Sequence, residues 1–344
     1  MLPGMEHRRL GRTDLRVSAL GLGCLTFGPG VGFMNGISAP EAEAHGILDR
    51  AVERGINLLD VANIYQGGAS EQILGRWLAR GGRRHDLVLA TKVGGPAGPK
   101  PTDRGLSREH VVASCEASLR RLQVDVIDLY QVHWPDVDTP LQETLEALAE
   151  LRRAGKIRFA GCSNYPAWLL ARALWIADTD GLPRFESLQP QYSLAVRHVE
   201  RELLPLCRDQ ELGVITWGSL ASGLLGGGHQ PGALPDDHQR LAMWQRRYGE
   251  DGRIWAIVEA ARQVAHGRGC PPAAVAMAWV AAQPGVTSCL LGVRTTAQLE
   301  EGLAAAELSL TDEERQTLDH ASAMPTDYPT TMMNRLAAGG DFWD

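Results

Sequence analysis

Val126-Ile-Asp-Leu-Tyr-Gln-Val-His133 is an apolar, β-like run that ends on a histidine. Residues 140–153 follow, with Leu141, Leu145, Leu148 and Leu151 at helical spacing, and a second β-like run then covers 157–163. Strand, helix and strand in this order predict a parallel crossover, because parallel neighbours cannot be joined by a tight turn. The same alternation extends both ways. Towards the N-terminus, 18–24 precedes helical 40–54, 56–62 precedes helical 70–79, and 87–93 precedes helical 107–122. Pro40 suits a first helical turn, Gly55 a stop and Ser70 an N-cap. Towards the C-terminus, 157–163 precedes 166–177, 187–192 precedes 200–209, 213–217 precedes a long insertion, and 286–291 precedes 296–306. Eight such units predict an α/β fold closed as a (β/α)8 TIM barrel with extra helices and long βα loops. A short, paired N-terminal segment precedes the series, and helical 253–266 and 311–322 exceed the eight units and are expected outside the barrel or on its rim. Nothing between residues 1 and 344 resembles a linker, so a single domain is expected. Residues 94–101 and 223–235 read as rim loops and 324–344 as a C-terminal tail.

Composition fits this reading and excludes others. A chain of 344 residues, 44% hydrophobic, can bury a large core. The net charge is −7 and the basic residues are scattered, which argues against nucleic acid or an anionic membrane as partner. The longest apolar stretch, 272–282, falls well short of the ~20 residues that span a bilayer. Residues 1–9 lack the apolar core of a signal peptide, and Cys24, Cys115, Cys162, Cys207, Cys270 and Cys289 are dispersed with no C-x-x-C pair. A reduced, cytoplasmic protein without a metal site is expected. The glycines after the first run, Gly21-Leu-Gly-Cys-Leu-Thr26, lack the third glycine of a dinucleotide-binding G-x-G-x-x-G, and 94–101 has the wrong spacing for a P-loop.

Four polar residues sit where three consecutive runs end: Asp60, Tyr65 five residues on, Lys92 and His133. Parallel strands present their C-terminal ends to one face, so the four side chains should gather at one rim. A free tyrosine titrates near pH ~10. A neighbouring lysine is expected to lower that value, an aspartate to keep the lysine charged, and a histidine to orient the acceptor. The chemistry this suggests is protonation of an oxygen that becomes an alcohol. Only three lysines exist, at 92, 100 and 156, which gives Lys92 added weight.

These motifs carry a resemblance. Gly55-Ile-Asn-Leu-Leu-Asp-Val-Ala-Asn-Ile-Tyr65 with Ser70-Glu71 and Leu74-Gly75, then Lys92, Asp128-Leu-Tyr-Gln-Val-His-Trp-Pro-Asp136, Gly155-Lys-Ile-Arg-Phe-Ala-Gly-Cys-Ser-Asn164 and Gly292-Val-Arg-Thr295 resemble the aldo-keto reductases, collinearly from about residue 8 to 310. The resemblance implies NADPH, rather than NADH, as hydride donor to a small-molecule carbonyl substrate. It implies Tyr65 as general acid, Lys92 and Asp60 as the pair that lowers its pKa, and His133 as the group orienting the carbonyl. It implies Ser163, Asn164 and Gln189 as partners of the nicotinamide carboxamide, and Trp217 as the aromatic stacked on the ring. Gly218, Leu220 and Ser222 match the pyrophosphate loop, Gly292 and Arg294 the 2′-phosphate contact, and Gln298 and Glu301 the adenosine contacts. A guanidinium suits a phosphate monoester better than a diol.

Departures from the family pattern are Asn63 for an acidic residue, Gln66 for glycine, Gly218 for serine and Gly302 for asparagine. Phe27 and Trp134, with residues from 28–35 and 223–248, are the candidates for the substrate pocket, and polar 239–247 reads as a solvated helix face or a contact for an acidic or sugar substrate. Aldehydes, ketones and keto-sugars all fit the chemistry. The resemblance also admits an NADPH-binding regulatory subunit of a membrane assembly, and an inactive sugar-binding barrel is a third reading. Oligomeric state and reaction direction are not legible.

Overall fold

A computed structural model of the chain describes residues 5–30, 36–81, 83–100, 102–228, 252–325 and 327–339. The expectations for 31–35 and for 229–251, including 239–247, lie outside the described residues. Eight parallel strands close a barrel: β3 (Leu20–Gly23), β4 (Leu58–Asp60), β5 (Val88–Val93), β6 (Ile127–Val132), β7 (Ile157–Ser163), β8 (Phe185–Gln189), β9 (Gly213–Thr216) and β10 (Ser288–Gly292), with β10 paired to both β3 and β9. Every residue of β5 and β6 is buried, which is why these strands read as continuous apolar runs rather than as an alternation.

Around the strands lie α1 (Glu41–Glu53), α2 (Ala69–Gly81), α3 (Arg108–Leu122), α4 (Leu141–Arg153), α5 (Ala167–Asp180), α6 (Leu203–Asp209), α7 (Gly252–Arg268), α8 (Pro272–Ala281) and α9 (Thr296–Leu303), followed by α10 (Asp312–Ala321) and α11 (Thr330–Ala337). The leucine stripe of α4 is turned inward, with Leu145, Leu148 and Leu151 buried. The apolar stretch after the insertion is α8, and its residues from Ala273 to Val280 are all buried. Helix α7, one of the two beyond the eight-unit count, packs on α8 and on the other extra helix, α10. Ser70 does not cap α2: it lies inside the helix and donates its hydroxyl to the Cys24 carbonyl at 2.6 Å. No helix among the described residues is long and apolar enough to cross a membrane.

The N-terminal segment is an antiparallel hairpin of β1 (His7–Arg9) and β2 (Arg16–Ser18). Its Leu10, Leu15 and Val17 enter the barrel and pack with Leu58, Val88, Ala90, Leu129, Ile215 and Leu290. The approach is close. A Cβ on Gly11, whose φ is +55°, would lie 2.6 Å from the Glu186 carbonyl and 2.8 Å from the Gly213 nitrogen, so only glycine fits. Glu186 and Gly213 belong to the starts of β8 and β9, so the hairpin closes the end opposite the strand C-termini.

Candidate active site

The rim at the C-terminal ends of β4, β5 and β6 brings the four expected residues together. Asp60 ends β4, Lys92 lies on β5, His133 follows β6, and Tyr65 opens a 3-10 turn at Tyr65–Gly68. Lys92 is fully buried, and a charge removed from water must be paired. Its Nζ donates to Asp60 Oδ1 in a short ion pair, to the Val61 carbonyl at 3.0 Å and to the Tyr65 hydroxyl at 3.3 Å. Burial works most strongly against the lysine charge, but the Asp60 carboxylate and the Tyr65 oxygen together outweigh it and hold the Lys92 pKa above its ordinary value. The tyrosine departs from expectation. Burial raises the Tyr65 pKa and the Asp60 charge adds to the rise, so the opposing pull of Lys92 does not bring it below the ordinary value. The phenol stays protonated next to a cation. His133 stands edge-on to Tyr65 with ring centroids 5.7 Å apart. Burial and the Lys92 charge push its pKa down to about 3, so it is neutral, and its Nδ1 has no hydrogen-bond partner among the described residues.

Hydrogen bonds continue from this group across the rim. Asp60 Oδ2 accepts from Gln131 Nε2 at 3.0 Å and from Gln189 Nε2 at 2.8 Å. Ser163 donates its hydroxyl to the Gln189 carbonyl at 2.6 Å. Asn164, with φ +58°, donates its amide to the Ser163 hydroxyl at 3.0 Å and to the His133 carbonyl at 2.9 Å. The Trp217 indole donates to Asn164 Oδ1 at 3.0 Å. Trp217, Asn164, Ser163, Gln189, Asp60, Lys92 and Tyr65 therefore form one connected set. Gln131 was not singled out from the sequence, although strand alternation puts it on the same side as His133, two residues on.

Beyond Trp217 the chain turns at Gly218 (φ +72°) and again at Ala221 (φ +48°), Ser222 (φ +60°) and Gly223 (φ +99°). Left-handed residues in succession aim backbone N–H groups into a concavity suited to anions. Leu220 precedes this bend and is half-buried. Across the rim, Gly292 ends β10, exposed and in register with Gly23. Arg294 donates its guanidinium to the Gly36 carbonyl at 3.2 Å and its backbone N–H to Gln298 Oε1 at 2.9 Å. Glu301 is exposed. Gly302 faces the barrel instead, where a Cβ would meet Leu291 Cδ2 at 2.5 Å, so any side chain there would have to displace Leu291.

The two expected pocket residues differ in what they present. Trp134 is 37% exposed and lies on His133 with ring centroids 4.4 Å apart. Phe27 has no exposed surface: it is sealed in the core, where its backbone bridges to Ala39, so as it stands it forms no pocket wall. Gln66, in a left-handed conformation at φ +53°, accepts at Oε1 from the Gly30 nitrogen at 3.1 Å and so joins the Tyr65 turn to the loop after β3. Asn63 is buried with neither end of its amide paired among the described residues.

Residues 19–323 match the family model described as the aldo/keto reductase family. The chain is 39% identical over 318 residues to "Uncharacterized oxidoreductase YrpG" of Bacillus subtilis (strain 168), covering 90% of this chain and 93% of that protein. It is 34% identical over 313 residues to "Probable voltage-gated potassium channel subunit beta" of Arabidopsis thaliana, covering 88% and 92%. It is 31% identical over 341 residues to "Norsolorinic acid reductase" of Aspergillus flavus, covering 95% and 84%.

Proposed function

The chain belongs to the aldo/keto reductase family, oxidoreductases that work with nicotinamide cofactors, and from that premise we propose that it reduces an aldehyde or ketone to an alcohol, with NADPH as reductant and Tyr65 as general acid. The observation that carries this reading is the buried Lys92 ammonium, held between the Asp60 carboxylate and the Tyr65 hydroxyl. A phenol kept protonated by burial has a proton to give. Once that proton passes to the developing alkoxide, the fixed lysine charge stabilises the phenolate left behind. Neutral His133 donates a hydrogen bond to the carbonyl oxygen without competing as an acid.

The rim fits the cofactor. Gln189 turns its nitrogen to Asp60, and its Oε1 has no partner among the described residues, an acceptor open to a carboxamide N–H. Ser163 and Asn164 would flank that group, Trp217 would offer its indole face to the nicotinamide, and Gly218, Leu220 and Ser222 would hold the diphosphate. Arg294, with Gly292 beside it, would take the 2′-phosphate, and Gln298 and Glu301 the adenosine. NADPH supplies the hydride when bound there. Six free cysteines, five of them buried, support a reducing compartment such as the cytoplasm. Trp134 against His133 favours an apolar or aromatic carbonyl compound over a charged one, and the similarity to a protein named as a reductase supports reduction as the direction; a keto-sugar also fits the chemistry. The relative named as a channel β subunit supports a second reading, an NADPH-binding regulatory subunit with little turnover.

NADPH consumption across a panel of aldehydes, ketones and keto-sugars separates the two. Tyr65→Phe should lower kcat at least about a hundredfold while leaving NADPH binding nearly intact. Retained turnover in that variant removes Tyr65 as the acid, and binding without turnover on every compound favours the regulatory reading.

A further inference from the structure

Gln131 is completely buried on β6, level with Lys92 on β5 and with Gly161 on β7. Its Nε2 donates to Asp60 Oδ2 at 3.0 Å, and its Oε1 accepts from Gln189 Nε2 at 3.3 Å; the same Gln189 nitrogen donates to Asp60 Oδ2 at 2.8 Å. A carboxylate only accepts, so both amides must turn nitrogen towards Asp60. The Gln131 oxygen then receives the second proton of the Gln189 amide, which leaves Gln189 Oε1 pointing elsewhere. Room for Gln131 comes from the next strand. A Cβ on Gly161 would lie 3.2 Å from Gln131 Cγ and 2.5 Å from the Ser187 hydroxyl.

We propose that Gln131 is a positioning residue for the carbonyl reduction: it holds Asp60 in place against Lys92 and, by accepting the second proton of the Gln189 amide, fixes the plane in which that amide meets the nicotinamide carboxamide. This rests on the reductase reading given above. Without Gln131, Asp60 Oδ2 keeps a single donor, and the second proton of the Gln189 amide loses its acceptor, so that amide is held by one contact instead of two. One glutamine thus ties the proton-delivering group to the cofactor contact. The charged groups facing it are Asp60 from β4 and Lys92 from β5; Gln189 and Ser187 approach from β8, with Tyr65 and His133 at the rim.

Two substitutions test this in the full chain. Gln131→Leu keeps the bulk and removes the amide; it should lower kcat about tenfold and raise the NADPH dissociation constant about fivefold, with the carbonyl substrate's KM little changed. Gln131→Glu can still donate to Asp60 while its carboxyl is protonated. Its activity relative to wild type should therefore recover at acidic pH and fall as pH rises and a second carboxylate forms beside Asp60. A merely structural residue would shift the melting temperature without this pH dependence. Wild-type kcat, NADPH affinity and pH profile in both variants overturn the proposal. If Gln131→Leu fails to fold, the pH profile of Gln131→Glu decides. If the wild type reduces no carbonyl compound, the reductase reading fails on its own, and NADPH affinity measured by tryptophan fluorescence still decides whether Gln131 aligns Gln189: unchanged affinity in the variants overturns it.

Discussion

His133 shows how strongly one buried side chain can weight the pH response. Its pKa is about 3 in the fold and near ~6.5 in an unfolded chain, so between these values the unfolded state binds the extra proton. Its contribution to stability is full above ~6.5 and is lost as pH falls towards 3, at no more than about 1.4 kcal/mol per pH unit. Urea unfolding of wild type and His133→Gln across this range should show a steeper acid loss in the wild type; parallel curves would refute it. The residues legible in the sequence were those whose titratable side chain ends an apolar run, namely Asp60, Lys92 and His133. Gln131 was not, because an uncharged amide inside a strand announces no partner until the facing carboxylate is known. Nor was the direction of the Tyr65 shift, since it depends on burial that no spacing reveals.

At the level of elements, runs were legible and their ends were not. The run 157–163 coincides with β7, whereas 56–62 shrinks to Leu58–Asp60. Ile56, Val61 and Ala62 are just as buried as the strand itself, so hydrophobicity overshoots the ladder at a packed rim. Helix α8 went unread for a related reason: apolar contacts on all its sides erase the polar stripe that marks an amphipathic helix. The connection between β10 and α9 carries the next prediction. Thr295 caps α9 by accepting from the Gln298 nitrogen at 3.2 Å, and the same tight turn sets Arg294 at the rim. A charge-assisted phosphate contact contributes about 1.5–3 kcal/mol. Arg294→Ala should thus weaken NADPH at least about tenfold while barely changing NADH; titration with both nucleotides checks this, and equal losses would argue against a 2′-phosphate contact.

For the molecule as a whole, eightfold repetition made closure legible, because eight alternating units leave no strand edge to cover. The stopper was legible only as a paired segment of unknown destination. Leu10 is fully buried inside the barrel end, and truncating such a side chain costs about 2–5 kcal/mol. Leu10→Ala should lose that much stability in urea yet keep its kcat per folded molecule, since the site lies at the other end; a matching loss of kcat would mean that the two ends are coupled. A barrel stoppered at one end is a cul-de-sac. Whatever approaches Lys92 has one face to come from, the rim where the strands end, and it must leave by the way it entered.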